Sequence, residues 1–133
     1  QEFTKDINVV EIIGEGLVPL IEVGNLDGPE MNSLLEKYTN PMIAANIDYL
    51  VLGCSHYPYL IPQLKAILPT NVKIIDSGEA VARQTKTVLQ SLNMLREEIT
   101  TPNLQFFTNA ETETLKFLLK EYSEKISVEK KDF

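Results

Sequence analysis

The chain has 133 residues, 44% of them hydrophobic and 23% charged, with a formal net charge of −7. That length and mix fit one globular domain with a buried core. The acidic balance, with basic residues scattered apart from the Lys130-Lys131 pair, argues against nucleic acid or an anionic membrane as principal partner. One cysteine excludes an internal disulfide framework and fits a reducing compartment. No apolar run reaches the ~18 residues of a spanning helix. The opening QEFTKDINVV lacks the basic start and apolar stretch of a signal peptide. The first residue is Gln1 rather than Met, which leaves room for a longer natural protein.

DINVVEII (6–13), short and β-branched, is expected to form a strand ending at Gly14. GLVPLIEVG follows with Leu17, Leu20 and Ile21 at helical spacing and Pro19 suited to a first turn. NLDGPE is turn-like, and Pro29 then starts a helix through Ile47, with Leu34, Leu35, Tyr38, Met42 and Ile43 near a 3.6-residue period. Pro41 is expected to bend or restart it. DYLVLGC (48–54), a continuous apolar run bounded by Gly53, reads as a buried parallel strand. Pro58 and Pro62 bracket the start of the next helix, and NVKIID (71–76) is another strand. Asp76 and Glu79 have the spacing of a capping box, opening a helix over about 78–95 with Val81, Val88, Leu89, Leu92 and Leu95 as its buried stripe. Thr100-Thr101-Pro102-Asn103 breaks that helix; Leu104–Phe107 reads as a strand, Thr108-Asn109 as a turn, and the stretch up to Lys125 as an amphipathic helix. ISVEKKDF reads as a frayed tail. Strands alternating with helices at this spacing indicate an α/β fold of parallel-sheet βαβ units. Ligands bind such sheets beyond the carboxyl ends of the strands.

Cys54 and His56, the chain's sole cysteine and histidine, stand two positions apart at such an end. The thiolate is the reactive form of cysteine. A helix starting near Pro58 would direct its free N–H groups back toward the strand exit, Gly53 would permit close approach, and His56 could relay a proton. Ser55 adds a hydroxyl and a backbone N–H suited to a carboxylate. The plainer reading is a buried structural cysteine beside a hydrogen-bonded histidine. Cys-x-His supplies two ligands, too few for a zinc site. Glu22 could reach the same end of the sheet, or be a solvated helix-end carboxylate. No GxGxxG, Walker loop or HExxH occurs.

VLGCSHYPYL (51–60), followed by VKIIDSGEAVARQ (72–84), strongly resembles the glutamate racemase family. The family motif reads Leu-Gly-Cys-Thr-His-Tyr-Pro; here Ser55 replaces Thr and keeps the hydroxyl. VPLIEVG (18–24) resembles the family's Val-Pro-Leu-Val-Glu and carries its acidic site residue over to Glu22. LQFFTN (104–109) and its helix are similar to the family's closing elements. Two features depart from the pattern: Ile13-Gly14-Glu15 stands where the family has Ala-Cys-Pro, and the first of the family's two thiol motifs has no counterpart.

The resemblance implies a flavodoxin-like second racemase lobe over 1–96. It also implies a strand and helix over 97–133 that return to a first domain. The implied activity is racemisation of L- and D-glutamate for peptidoglycan synthesis in the cytoplasm, with no metal or other cofactor. Cys54 would be one of two proton-transferring thiols, His56 its assistant, Ser55 a carboxylate holder and Glu22 an orienting acid. Alone, the 133 residues are expected to be inactive, with glutamate as substrate, the missing N-terminal domain as partner and a homodimer as the family's frequent assembly. A Cys54/His56 thiol hydrolase or transferase, or a non-catalytic amino-acid-binding module, remains open as an alternative.

Overall fold

Residues 7–96 and 102–133 are described by a computed structural model. They fall into two compact units, one running to Ile21 and resuming over Asn25–Ile75, the other made of Glu22–Gly24 and Asp76–Phe133. Asp6, the expected helix break at 100–101 and the expected boundary at 96/97 lie outside the described residues or abut them.

In the first unit the elements are α1 (Leu17–Glu22, its last residue grouping with the second unit), α2 (Pro29–Ala44), β1 (Tyr49–Val51), a 3-10 turn (Tyr57–Leu60), α3 (Ile61–Ile67) and β2 (Lys73–Ile75). Pro29 opens α2 where a helix has no intrahelical use for the N–H that proline lacks. Met31, Leu35 and Thr39, four apart, are the buried stripe of α2. The Thr39 hydroxyl donates to the Leu35 carbonyl at 2.8 Å, so its burial leaves no unpaired polar group. Pro41 neither ends nor restarts α2, which runs on to Ala44 as one element. The chain turns off it at Asn46, whose φ of 55° is a left-handed conformation that asparagine tolerates.

β1 and β2 run parallel, in the register Tyr49↔Lys73, Leu50↔Ile74 and Val51↔Ile75, and the Leu52 N–H extends the ladder to the Ile75 carbonyl at 2.8 Å. A parallel pair needs a crossover, and the 3-10 turn with α3 supplies it. Leu17, Ile21, Met31, Leu35, Leu50, Leu52, Leu60, Leu64 and Leu68 form the core. Each such side chain contributes about 1.5–3 kcal/mol on burial.

Two expectations fail in this unit. Residues 7–13 form no strand, and Ile7, Val9 and Ile13 are exposed. A strand is stabilised by a ladder, and among the described residues β1 is bonded to β2 only. β1 is also not buried on both faces. Leu50 and Leu52 enter the core while Tyr49 and Val51 are exposed, because the buried helix residues meet the sheet from one side.

The second unit contains α4 (Gly78–Ser91), β3 (Leu104–Thr108), α5 (Thr112–Leu118), a 3-10 turn (Lys120–Lys125) and β4 (Ile126–Lys130). β3 and β4 are parallel, in register from Leu104↔Ile126 to Thr108↔Lys130. The expected frayed tail is therefore largely a strand. Ile126 and Val128 alternate with Ser127 and Glu129, and β3 offers them an edge. The helix expected up to Lys125 stops at Leu118 and tightens into the 3-10 turn. Lys130 pairs with Glu111, the residue that caps α5, and holds its carboxyl below the usual range. Gly24, at φ 79°, lies against the Phe117 ring; a Cβ there would come within 3.2 Å of it.

α4 departs from expectation twice. It ends at Ser91 rather than Leu95, and Asn93 at φ 54° turns the chain away. Val81, Val88, Leu92 and Leu95 are exposed and Leu89 only half-buried, because no element among the described residues covers that face. The expected capping box does not form. Ser77, not Asp76, occupies the cap position, so Glu79 is one residue short of the reciprocal place and pairs with Arg83 at 3.3 Å. Asp76 accepts the Gly78 N–H at 2.8 Å.

Candidate functional site

Where β1 ends, Gly53 leads into a tight turn closed by the Tyr57 N–H on the Cys54 carbonyl and the Tyr59 N–H on the His56 carbonyl, both at 3.2 Å. Pro58 fits the 3-10 turn because its missing N–H is not needed there. This geometry sets Cys54 Sγ 3.9 Å from His56 Nδ1, and Ser55 Oγ 3.5 Å from the same nitrogen. Three of the four site residues expected from sequence thus share one turn. Glu22 closes α1, is exposed and belongs to the second unit. Asp76 caps α4.

Cys54 is half-buried and lines a cavity of about 1460 Å³ in the first unit. Gly53 lines the same cavity, and a Cβ built on it would meet nothing within 4 Å. The floor of the cysteine turn thus has open space above it. One nitrogen of His56 faces both a thiol and a hydroxyl, so the imidazole can accept a proton from either or return it. Among the described residues no three His, Cys, Asp or Glu side chains converge to hold a metal ion.

Two tyrosines complete the surroundings. The Tyr57 hydroxyl donates to the Gly14 carbonyl at 3.4 Å, and the Tyr38 hydroxyl donates to the Glu15 carbonyl at 2.7 Å. Together they fasten the turn entering α1 to the cysteine turn and to α2. Burial, then the neighbouring Cys54 and Tyr38, push the Tyr57 phenol above its usual range, against the lowering effect of the Gly14 hydrogen bond. Sequence reasoning missed this clasp. Its partners lie 43 and 23 residues apart, and only Tyr57 sits in a motif.

Over 117 residues, 88% of its length, the chain is 42% identical to a glutamate racemase of Pseudomonas putida. This chain is a relative of the glutamate racemases. A glutamate racemase of Pseudomonas syringae pv. tomato is 45% identical over 93 residues, 70% of this chain and 34% of that protein. In structure, a glutamate racemase isoform from Bacillus anthracis matches 88% of this chain and 44% of its own, with a TM-score of 0.72 and 29% identity. The α/β class with parallel strands expected from sequence is the class these racemases share. No family model matches the chain. The chain spans less than half the length of the Pseudomonas racemases it matches, 44% in the case of the Pseudomonas putida protein.

Proposed function

We propose that this chain contributes one thiol face of a cofactor-independent glutamate racemase. The observation that carries the reading is the Cys54–His56 turn at the exit of β1. It opens onto a cavity in a chain 42% identical to a glutamate racemase.

An α-proton of an amino acid is weakly acidic, and inversion needs a base on one face of the α-carbon and an acid on the other. Cys54 as thiolate takes the proton and becomes a thiol. A second thiol, supplied from outside this chain, delivers its own proton to the opposite face and becomes a thiolate. Nothing is oxidised or reduced, and each thiol ends in the protonation state in which the other began. His56, 3.9 Å from the sulfur, resets the protonation state of Cys54. Ser55 holds a substrate carboxylate, and Glu22 orients the substrate or the second base. The partner is the remaining domain of such an enzyme, against which residues 97–133 belong. The setting is the cytoplasm, and D-glutamate for peptidoglycan is the product. A glutamate racemase of Francisella tularensis with D-glutamate bound has the same fold, with a TM-score of 0.69.

The test joins this chain to the part of the Pseudomonas putida racemase that it does not match and follows loss of optical activity from L-glutamate. Activity that disappears in Cys54→Ala supports the reading. Undiminished activity in that variant removes it.

A further inference from the structure

Gly14, Tyr38, Cys54 and Tyr57 line one cavity of the first unit. Tyr57 is joined to its surroundings twice. Its N–H closes the cysteine turn on the Cys54 carbonyl at 3.2 Å. Its hydroxyl donates to the Gly14 carbonyl, 43 residues back, at 3.4 Å. That bond is long for an O–H···O pair, so packing of the phenol on the bare Gly14 backbone holds the ring as well. The fit depends on glycine: any Cβ at Gly14 would lie 2.6 Å from the phenol oxygen. Gly14 belongs to Ile13-Gly14-Glu15, which stands where the racemase pattern has Ala-Cys-Pro. The pattern's cysteine would bring the Cβ that the phenol excludes. The departure from the pattern and the reach of the phenol are thus one feature of this chain. Burial first, and then the charge of Cys54, push the phenol above its ordinary range, so that thiol and phenol sense one another.

We propose that Tyr57 is a positioning residue for the thiol: its phenol, seated on Gly14, holds the turn so that Cys54 Sγ stays within reach of His56 Nδ1. At 3.9 Å that pair has little slack. A displacement of about 1 Å at a reacting group costs on the order of a hundredfold in rate. Tyr57 acts through the turn and takes no proton itself. The inference deepens the racemase reading, in which His56 resets the protonation state of Cys54, and rests on that reading for its role in turnover.

The test is a double-mutant cycle on the reactivity of Cys54 in the 133-residue chain, with iodoacetamide at neutral pH as the probe. Cys54 is the sole cysteine, so thioether formation reports on it alone. The S–C bond forms, iodide leaves and the thiol proton passes to His56. His56→Ala slows this step in the native sequence. In Tyr57→Phe the same change slows it by a factor at least about threefold smaller. Gly14→Ala, whose Cβ displaces the phenol, shrinks the His56 effect in the same way and stands in should Tyr57→Phe fail to fold. Tyr38→Phe severs the companion bond to the Glu15 carbonyl and keeps the effect. A general loosening of the fold would lower it in all three variants. An equal His56 effect with and without the Tyr57 hydroxyl overturns the proposal. So do equal losses in Tyr57→Phe and Tyr38→Phe, or no His56 effect in the native sequence. Turnover plays no part in the readout. An active Cys54→Ala variant removes the racemase reading and leaves this coupling standing, and a failed cycle leaves the Cys54 assignment untouched.

Discussion

Tyr57 and Gly14 are fitted to one another. The phenol donates to the Gly14 carbonyl, and any Cβ at Gly14 would lie 2.6 Å from the phenol oxygen and 2.7 Å from Leu17 Cδ1. Gly14→Ala therefore expels the ring or shifts the turn, at about 1–3 kcal/mol by urea denaturation. Combined with Tyr57→Phe, which makes room, the loss is smaller than the sum of the two single losses. Strict additivity would show that the two residues do not share this space.

The same phenol gives the unit an alkaline sensitivity. Folding raises the Tyr57 pKa above its ordinary 10.0, mainly through burial. Between that value and the higher folded one, the native state holds a proton that the unfolded state has released. The stabilisation is whole below 10.0 and is lost as pH rises through the folded value. Urea midpoints measured across this range fall more steeply in the native sequence than in Tyr57→Phe. Parallel curves would mean that Tyr57 titrates as if exposed.

Much of the first unit could be read from residue order. Pro29, the four-residue spacing along α2 and the apolar run of β1 each act locally, and the glycine-to-proline interval around Cys54 marks a turn without reference to the rest of the chain. What could not be read depends on distant partners. Residues 7–13 have a strand's composition but no ladder among the described residues, and Ile126–Lys130 have a weaker pattern but a ladder on β3. The amphipathic stripe of α4 is visible in sequence, but only the structure shows it uncovered. At the site, Cys54, Ser55 and His56 were legible because they are adjacent. Tyr38 was not, because its hydroxyl meets a carbonyl 23 residues away.

One-sided burial of the β1–β2 sheet separates two substitutions of similar chemistry. Leu60 is 1% exposed, and Leu60→Ala leaves a cavity costing about 2–5 kcal/mol. Val51 is 67% exposed, and Val51→Ala changes stability by less than about 0.5 kcal/mol. Comparable losses at the two positions in chemical denaturation would show that β1 is covered on both faces.

β4 is tested by removing residues 126–133. The amides of β3 lose the partner set by Leu104↔Ile126 through Thr108↔Lys130, and their hydrogen exchange accelerates. Exchange at Leu50 and Leu52, in the other unit, stays slow. Unchanged protection of β3 would return Ile126–Lys130 to the status of an unpaired tail.

The most direct measurement concerns the fate of the α-hydrogen. The chain, joined to the remainder of the Pseudomonas putida racemase, is given L-glutamate in deuterium oxide, and the first-formed D-glutamate is analysed by mass. Two opposed thiols, one of them Cys54, predict a product that carries deuterium from solvent, and no product when Cys54 is replaced by serine. A product that retains its original hydrogen, or that forms at the same rate without the Cys54 sulfur, contradicts the account.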